Sequence, residues 1–370
     1  MAYDGASWGT LGDGGRIDGT TERKLHAKVV DNVLNAPTYA SRVIGAGKPF
    51  MGKTMDVTVD VTSDNQGEWF VGLENLSSAA ANTTITLSYA HTAFTQPKVS
   101  IMLDSFANAG QTGTIPLDAF KYEKAAAEAL QAVSTALYAD GTLSRPNGLG
   151  IIVADSGTIG GQARSSYSQL NSTVTASGGT LSLAKMATLH DAISAAGLRS
   201  EEPNIGVTTK TVWSLYEQLL TPNVRASYNE AGYAALPIRG NYAVKNKQEL
   251  KNGAGFTALT YRGMPIIKDD FCTSGVLFFL NENYFAWHGR SIVPDEYKGF
   301  MQKVNLGTMK AYEGTGAEAL EMPSEYNGWF YQKPIVLPNQ AGMIARFYVI
   351  GQMVGTGFRR HGKLTGITSV

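Results

Sequence analysis

Residues 55–61 read Met55-Asp56-Val57-Thr58-Val59-Asp60-Val61, and residues 83–87 read Thr83-Thr84-Ile85-Thr86-Leu87. Apolar and polar side chains alternate with period two in both runs, the pattern of a strand with one covered face. The stretch from Gly72 to Asn82 between them is rich in Ser, Ala and Asn. These residues therefore predict one long β-hairpin from Thr54 to Asp104, with Val99 to Leu103 ending its return strand. A strand from Thr54 to Val71 would reach about 60 Å at ~3.3 Å per residue. A compact chain of this length has a radius of gyration of only ~21 Å. The hairpin is thus expected to project beyond the body. A lone two-stranded ribbon is marginal in water, and its edges invite pairing, so it is expected to lie on a second copy of the chain.

The flanks of the hairpin differ from each other. Gly5, Gly9, Gly12, Gly14, Gly15 and Gly19 punctuate the start of the chain. Such a segment buries too little apolar surface to offset its ordering entropy, and it reads as an arm. A helix is predicted within it near Thr20 to Leu34, where Leu25, Val29 and Val33 fall on one face. After the hairpin, Ala126, Leu130, Val133 and Leu137 recur at helical spacing. Pro116 suits the first turn and Gly141 the position past the end, so one long helix is predicted over Pro116 to Ala139.

From residue 150 the elements alternate. Strands are predicted at Gly150–Ala154, Ile205–Thr209, Met264–Lys268, Val276–Leu280 and Tyr284–Trp287, with a turn at Asn281–Asn283. Leu183, Met186, Leu189 and Ile193 mark a helix that Ser182 can cap and Gly197 can stop. Val212, Leu215 and Leu219 mark another, ending before Pro222. Ile335–Leu337, Met343–Val354 and Phe358–Lys363 return the chain to strands. The fold class is α+β.

Composition narrows the function. The 370 residues are 43% hydrophobic, enough for a sizeable core, but only 17% charged, below the ~25% of an ordinary domain. Lys plus Arg and Asp plus Glu number 31 each. That balance is poor for a protein that grips nucleic acid by a basic face, and it permits dense self-association. Cys272 is the single cysteine, which excludes a disulfide framework within the chain. It reads as a structural thiol ahead of a nucleophile, because no electropositive setting is evident. The first residues, Met1-Ala2-Tyr3-Asp4-Gly5, lack the basic and apolar regions of a secretory signal. The apolar run Met343 to Val354 is broken by Arg346 and Gln352 and falls short of the ~18 residues of a membrane span. Cytoplasmic synthesis without a membrane partner is expected.

Gly47-Lys48-Pro49-Phe50-Met51-Gly52-Lys53-Thr54 matches the phosphate-cradling loop, with Asp104 a candidate second acid. Such a loop must open a helix whose N-terminus faces the phosphates. Here the following residues have strand periodicity, and Pro49 removes a backbone donor, so a chance match is expected. No cofactor or metal is assigned. His26, His91, His190, His288 and His361 are scattered, and His190-Asp191 sits on a predicted helix where adjacent residues diverge. Glu201-Glu202, Asp269-Asp270 and Asp295-Glu296 read as solvated turn residues. Arg359-Arg360-His361 with Lys363 reads as a solvated strand end or a subunit ion pair ahead of a nucleic-acid contact. Trp69, Phe70, Trp329, Phe330 and Tyr331 are open between a core role and inter-subunit anchoring. Glu68, Trp69, Phe70 and Glu74 are the candidate inter-subunit contacts.

The order arm, long hairpin, long helix, α/β domain and returning strands resembles the Hong-Kong-ninety-seven-type fold of tailed-phage major capsid proteins. Ala139-Asp-Gly-Thr-Leu-Ser-Arg-Pro-Asn-Gly-Leu149 is similar to that family's link from spine helix to axial domain. Tyr261-Arg-Gly-Met-Pro-Ile-Ile-Lys-Asp269 is similar to its axial G-x-P-V strand, and Phe358-Arg-Arg-His-Gly-Lys-Leu-Thr-Gly-Ile367 to its closing strand. The resemblance implies an N-terminal arm (1–50), an extended hairpin loop (51–105), a peripheral domain with the spine helix (106–149), an axial domain (150–295) and returning peripheral strands (296–370). It implies hexamers and pentamers of an icosahedral shell around double-stranded DNA, held without sequence-specific contacts. It also implies a virion component assembled in the host cytoplasm, with scaffolding, portal and decoration proteins as possible partners. Some members join Lys to Asn across subunits, and Lys53 and Asn75 lie in or near the hairpin. An encapsulin-like compartment is the alternative on the same fold.

Overall fold

The computed structural model describes residues 38–62, 67–73, 82–107, 117–139, 141, 144–176, 178–193, 201–220, 259–303, 328–338 and 340–369. The helix expected near Thr20 to Leu34 and nearly all of the stretch from Gly72 to Asn82 lie outside these residues. In chain order the elements are α1 (Thr38–Gly45), β1 (Lys48–Phe50), β2 (Thr54–Asp60), β3 (Thr84–Ala90), β4 (Thr92–Ile101), α2 (Met102–Ala107) and α3 (Leu117–Tyr138). There follow α4 (Leu149–Ile152), β5 (Thr158–Ile159), β6 (Gln162–Ala163), β7 (Thr173–Thr175), β8 (Gly179–Thr180), α5 (Leu183–Ile193), β9 (Ile205–Thr208) and α6 (Lys210–Leu219). The last part holds β10 (Leu259–Tyr261), β11 (Met264–Lys268), β12 (Leu277–Leu280), β13 (Phe285–Arg290), β14 (Met301–Lys303), β15 (Trp329–Val336), β16 (Gly342–Gly355), β17 (Gly362–Leu364) and β18 (Ile367–Ser369).

Two six-stranded sheets organise the molecule. In the first, β16 is the spine: β15 pairs along one edge, while β4 and then β13 share the other. β1 and β14 complete it. The second sheet runs β10-β11-β9-β12-β17-β7. Its inner strands β9 and β12 are buried at every position, because both faces are covered. Met186, Leu189, Val212, Trp213 and Tyr216 of α5 and α6 close one face over Ile266 and Phe279. Ile205, Val207, Phe278 and Leu280 point the other way, into the core that holds α1 and α3.

α3 follows from an alanine-rich run of high helix propensity. It buries Ala125, Ala126, Ala129, Leu130, Val133 and Leu137, and it lies against β4 and β16. Tyr138 at its end meets Phe278 of the second sheet at 6.3 Å between ring centres. One long helix thus spans from one sheet to the other. α1 locks the joint: the Tyr39 N–H donates to Asp269 Oδ2 at 2.9 Å, and Arg42 grips Glu282 through two bonds of 2.8 and 2.7 Å.

Three expected elements differ. Gly150–Ala154 is not a strand, since Leu149–Ile152 forms a helical turn with Leu149 and Ile152 buried. A short apolar run has no periodicity with which to separate the two. Phe358–Arg360 is a 3-10 turn that precedes the short strand β17. The hairpin is also shorter than predicted. Pairing covers Thr54–Asp60 against Thr84–Ala90, about 23 Å of strand at ~3.3 Å per residue. The residues from Thr92 to Ile101 leave it to pair with β16 over their full length. Both ribbons carry the same alternation, so periodicity alone could not say where one sheet ended and the next began.

Candidate assembly surface

The hairpin is amphipathic by construction. Thr54, Asp56, Thr58 and Asp60 face solvent while Met55, Val57 and Val59 face inward, and β3 repeats the pattern. Leu87 and Tyr89 are buried outright, and Met55, Val57, Val59 and Ile85 pack against the main core. The paired ribbon therefore rests on its own body, contrary to the expectation that it projects from Thr54 onward. The dimension estimate failed because it treated Thr54 to Val71 as one straight strand.

The root is fastened by the β5–β6 turn. The Ser88 N–H donates to the Gly160 carbonyl at 2.9 Å. Tyr89 donates its hydroxyl to the Gly355 carbonyl at 2.8 Å, and burial pushes that phenol well above its ordinary pKa. Gly160 has φ of +56°, and an added Cβ would lie 2.7 Å from Leu87 Cβ and 3.0 Å from Leu87 Cα. Only glycine allows both that backbone and that approach. Beneath it, the fully buried Arg164 guanidinium donates to the carbonyls of Leu170, Ile151 and Ile152. It also lies 5.0 Å from the Phe358 ring centre. Desolvation lowers its pKa to about 10, so it remains a cation at neutral pH, held by the carbonyl end of α4.

Beyond the paired strands, the segment from Gly67 to Leu73 carries bare apolar side chains. Trp69 is 103% exposed, Val71 87% and Leu73 108%, with Phe70 at 57%. Covering side chains of this size gains roughly 1.5–3 kcal/mol each, and contiguous apolar exposure marks an interaction site. Glu68 is exposed beside them, and Glu74 lies outside the described residues. A second apolar group sits at one end of the first sheet, where Ile101, Leu103, Phe106, Val336 and Met343 are all exposed.

The structure sorts the other candidates. Gly47–Thr54 forms no phosphate cradle: β1 pairs in parallel with β13, and β2 begins at Thr54, where a helix would be required. Lys53 is exposed, and Asn75 lies outside the described residues. Trp329, Phe330 and Tyr331 are core residues on β15, whereas Trp69 and Phe70 face solvent. Cys272 is buried, which pushes its thiol pKa up and leaves it inert.

The charged pairs need correction. Asp269 is not a solvated turn residue; it is 1% exposed and also accepts the Phe271 N–H at 2.9 Å. Asp270 instead meets Lys210 at 2.8 Å. Glu201 and Arg360 form an ion pair within the chain at 2.6 Å, so Arg360 belongs to neither a solvated end nor a subunit bridge. His190 and Asp191, expected to diverge, lie 3.8 Å apart because both reach Arg262. His361 is fully buried and accepts the Asn281 N–H at 3.2 Å. None of these groups could be placed from sequence, because the partners that fix them (Tyr39 for Asp269, Lys210 for Asp270, Arg262 for Asp191, Asn281 for His361) lie at least 60 residues away. No group of three His, Cys, Asp or Glu side chains poised for a metal occurs among the described residues.

No family model and no curated protein matches the chain. Solved structures do. The cyanophage A-1(L) capsid asymmetric unit superposes with a TM-score of 0.62 at 15% identity, over 94% of this chain and 97% of that one. The capsid of the native GTA particle gives 0.59 at 10% identity, over 99% and 100%. The holo-SrpI encapsulin complex of Synechococcus elongatus PCC 7942 gives 0.51 at 11% identity, over 95% of both. Likeness over nearly the full length of both partners shows the fold: the chain has the Hong-Kong-ninety-seven-type fold of tailed-phage major capsid proteins.

Proposed function

We propose that the chain is a structural shell subunit, the major capsid protein of a tailed phage, which assembles as hexamers and pentamers into an icosahedral head around double-stranded DNA. The observation that carries this is the exposed Trp69–Leu73 segment beyond a hairpin whose root is rigidly held. A monomer gains nothing from a bare tryptophan and leucine there, whereas a neighbouring subunit that covers them gains several kcal/mol. A patch at one end of a subunit that meets a different surface on the next makes a heterologous contact, which closes into a ring where the rotation between copies divides a full turn. Glu68 and Glu74 would flank this contact as its polar rim. The zero net charge suits close packing of identical copies. DNA would be enclosed and not gripped in a sequence-specific manner. A scaffolding, portal or decoration protein would meet the assembled surface.

The test is expression of the chain alone, with negative-stain electron microscopy beside size-exclusion chromatography. Rings of five and six, or closed shells, are the expected result. A monodisperse monomer that also fails to assemble with a co-expressed scaffold would overturn the proposal. The encapsulin neighbour supplies a second use of the fold. Shells that contain a protein cargo and no nuclease-protected DNA would favour that use.

A further inference from the structure

A groove of about 310 Å³ opens between α3 and the first sheet. Its origin is local. α3 presents Ala132 and Ala136 one turn apart, and β4 contributes Ala93 to the same opening. Side chains this small leave a gap that a close-packed interior would not keep. The floor is apolar: Val133, Trp287 and Val349 are buried, with Phe94 half-buried beside them. Trp287 has no room to shift. A Cβ added at Gly351 would lie 2.4 Å from its Cζ2, and one at Gly47 would lie 2.9 Å from its Cδ1. The pocket is therefore preformed, and filling it orders little on its own side. At ~30 Å³ per water it holds roughly ten waters over a surface that offers them few partners. Apolar side chains that displaced them would be favoured. The space suits one or two large side chains and excludes a whole helix, which is ~10–12 Å across.

The same chain displays side chains of that kind and leaves them uncovered. Trp69 is fully exposed, so it does not occupy the groove of its own subunit. Phe70 follows it and Glu68 precedes it, both exposed. Arg145 is exposed at the rim of the groove. A guanidinium there attracts both the face of an indole and a carboxylate beside it. The segment and the groove thus match in size, polarity and charge.

We propose that the groove between α3 and the first sheet is the seat of Trp69 from a second copy of the chain, with Arg145 over the indole and Glu68 at the rim. This assignment rests on the shell-subunit reading and names the surface by which a neighbour covers the hairpin segment. Each subunit carries the aromatic knob and the groove on different surfaces, so one copy can give and receive at once, as a heterologous contact requires. A buried aromatic anchor in a preformed pocket is also where binding energy concentrates.

The test is photo-crosslinking in the full chain. Trp69 is replaced by the aromatic crosslinker p-benzoylphenylalanine, and isotopically heavy and light copies are mixed before assembly and irradiated. Peptide mass analysis should find heavy–light adducts at Ala132–Ala136, Phe94 or Trp287. Adducts confined to one copy, or adducts that fall on Leu103, Phe106 or Val336, overturn the proposal. A second measurement fills the groove from within. Ala136→Phe should raise the protein concentration needed for half-assembly by about tenfold or more, and combining it with Trp69→Ser should add nothing beyond the larger single effect. Losses that multiply, or an unchanged concentration for Ala136→Phe, overturn the proposal. Urea unfolding of dissociated Ala136→Phe subunits checks that the body still folds, and the crosslink decides if it does not. If the parent chain forms shells while the adducts lie elsewhere, this seat falls and the shell reading stands. If the parent chain assembles neither alone nor with a scaffold, both fall.

Discussion

His361 shows how a single residue ties the interior to conditions outside. Its ring is fully buried beside Phe285, at 5.4 Å between centres, and Nδ1 accepts the Asn281 N–H. Desolvation lowers its pKa to about 3. His288, buried on β13 near Lys48, is lowered to about 4. A base whose folded pKa lies below its unfolded value of ~6.5 is neutral in the native state while the unfolded chain takes up a proton. Its stabilising effect is complete above about pH 6.5 and declines as pH falls toward 3. His361→Asn keeps an acceptor near Nδ1 and removes the titration. Stability measured by urea unfolding should therefore fall less steeply between pH 6.5 and 4 in the variant, with His288 leaving part of the slope. An identical slope in both proteins would mean that His361 is already protonated or solvated in the native state.

At the scale of elements, the hairpin was legible and its limits were not. Strict alternation at Met55–Val61 named the strand and its inward face, and the burial of Leu87 and Tyr89 agrees with it. Where β3 stops and β4 begins is set by a partner more than 240 residues away, because β16 claims Thr92 to Ile101. No local pattern carries that information. α3, α5 and α6 appeared near their predicted positions because helical spacing and caps such as Ser182, which accepts the Lys185 N–H at 3.3 Å, are local signals. The latch on Gly160 was invisible for the same reason as the β16 pairing. Gly160→Ala would place a methyl against the Leu87 backbone in a left-handed conformation. It should cost about 1–3 kcal/mol and speed hydrogen exchange at the Ser88 and Tyr89 amides, while amides of β9 and β12 in the second sheet stay protected. Uniform loss of protection across both sheets would show that the latch stabilises the whole fold and not the hairpin root alone.

At the scale of the molecule, two sheets joined by α3 and clamped by α1 pack around a shared core, and the apolar surface left over decides what that body can do. The core aromatics Trp329, Phe330 and Tyr331 and the exposed pair Trp69 and Phe70 look alike in sequence, since each lies next to glycine or polar turns. Tertiary context alone separates them. That separation gives a test in which folding and assembly respond oppositely. Trp69→Ser with Phe70→Ser removes side chains that touch little within the subunit, so the unfolding free energy of dissociated subunits should change by no more than about 0.5 kcal/mol. Assembly should suffer, because each contact loses the anchor its neighbour would cover. At 1.4 kcal/mol per tenfold, even one lost anchor of roughly 1.5–3 kcal/mol raises the protein concentration needed for half-assembly, followed by light scattering, by at least tenfold. Deleting 72–82 should go further, leaving subunits or capsomers but no closed shells. If the double variant instead unfolds several degrees lower and assembles at the same concentration, the segment packs within its own subunit, and the surface that joins neighbours must be sought at Leu103, Phe106 and Val336, at the end of the first sheet.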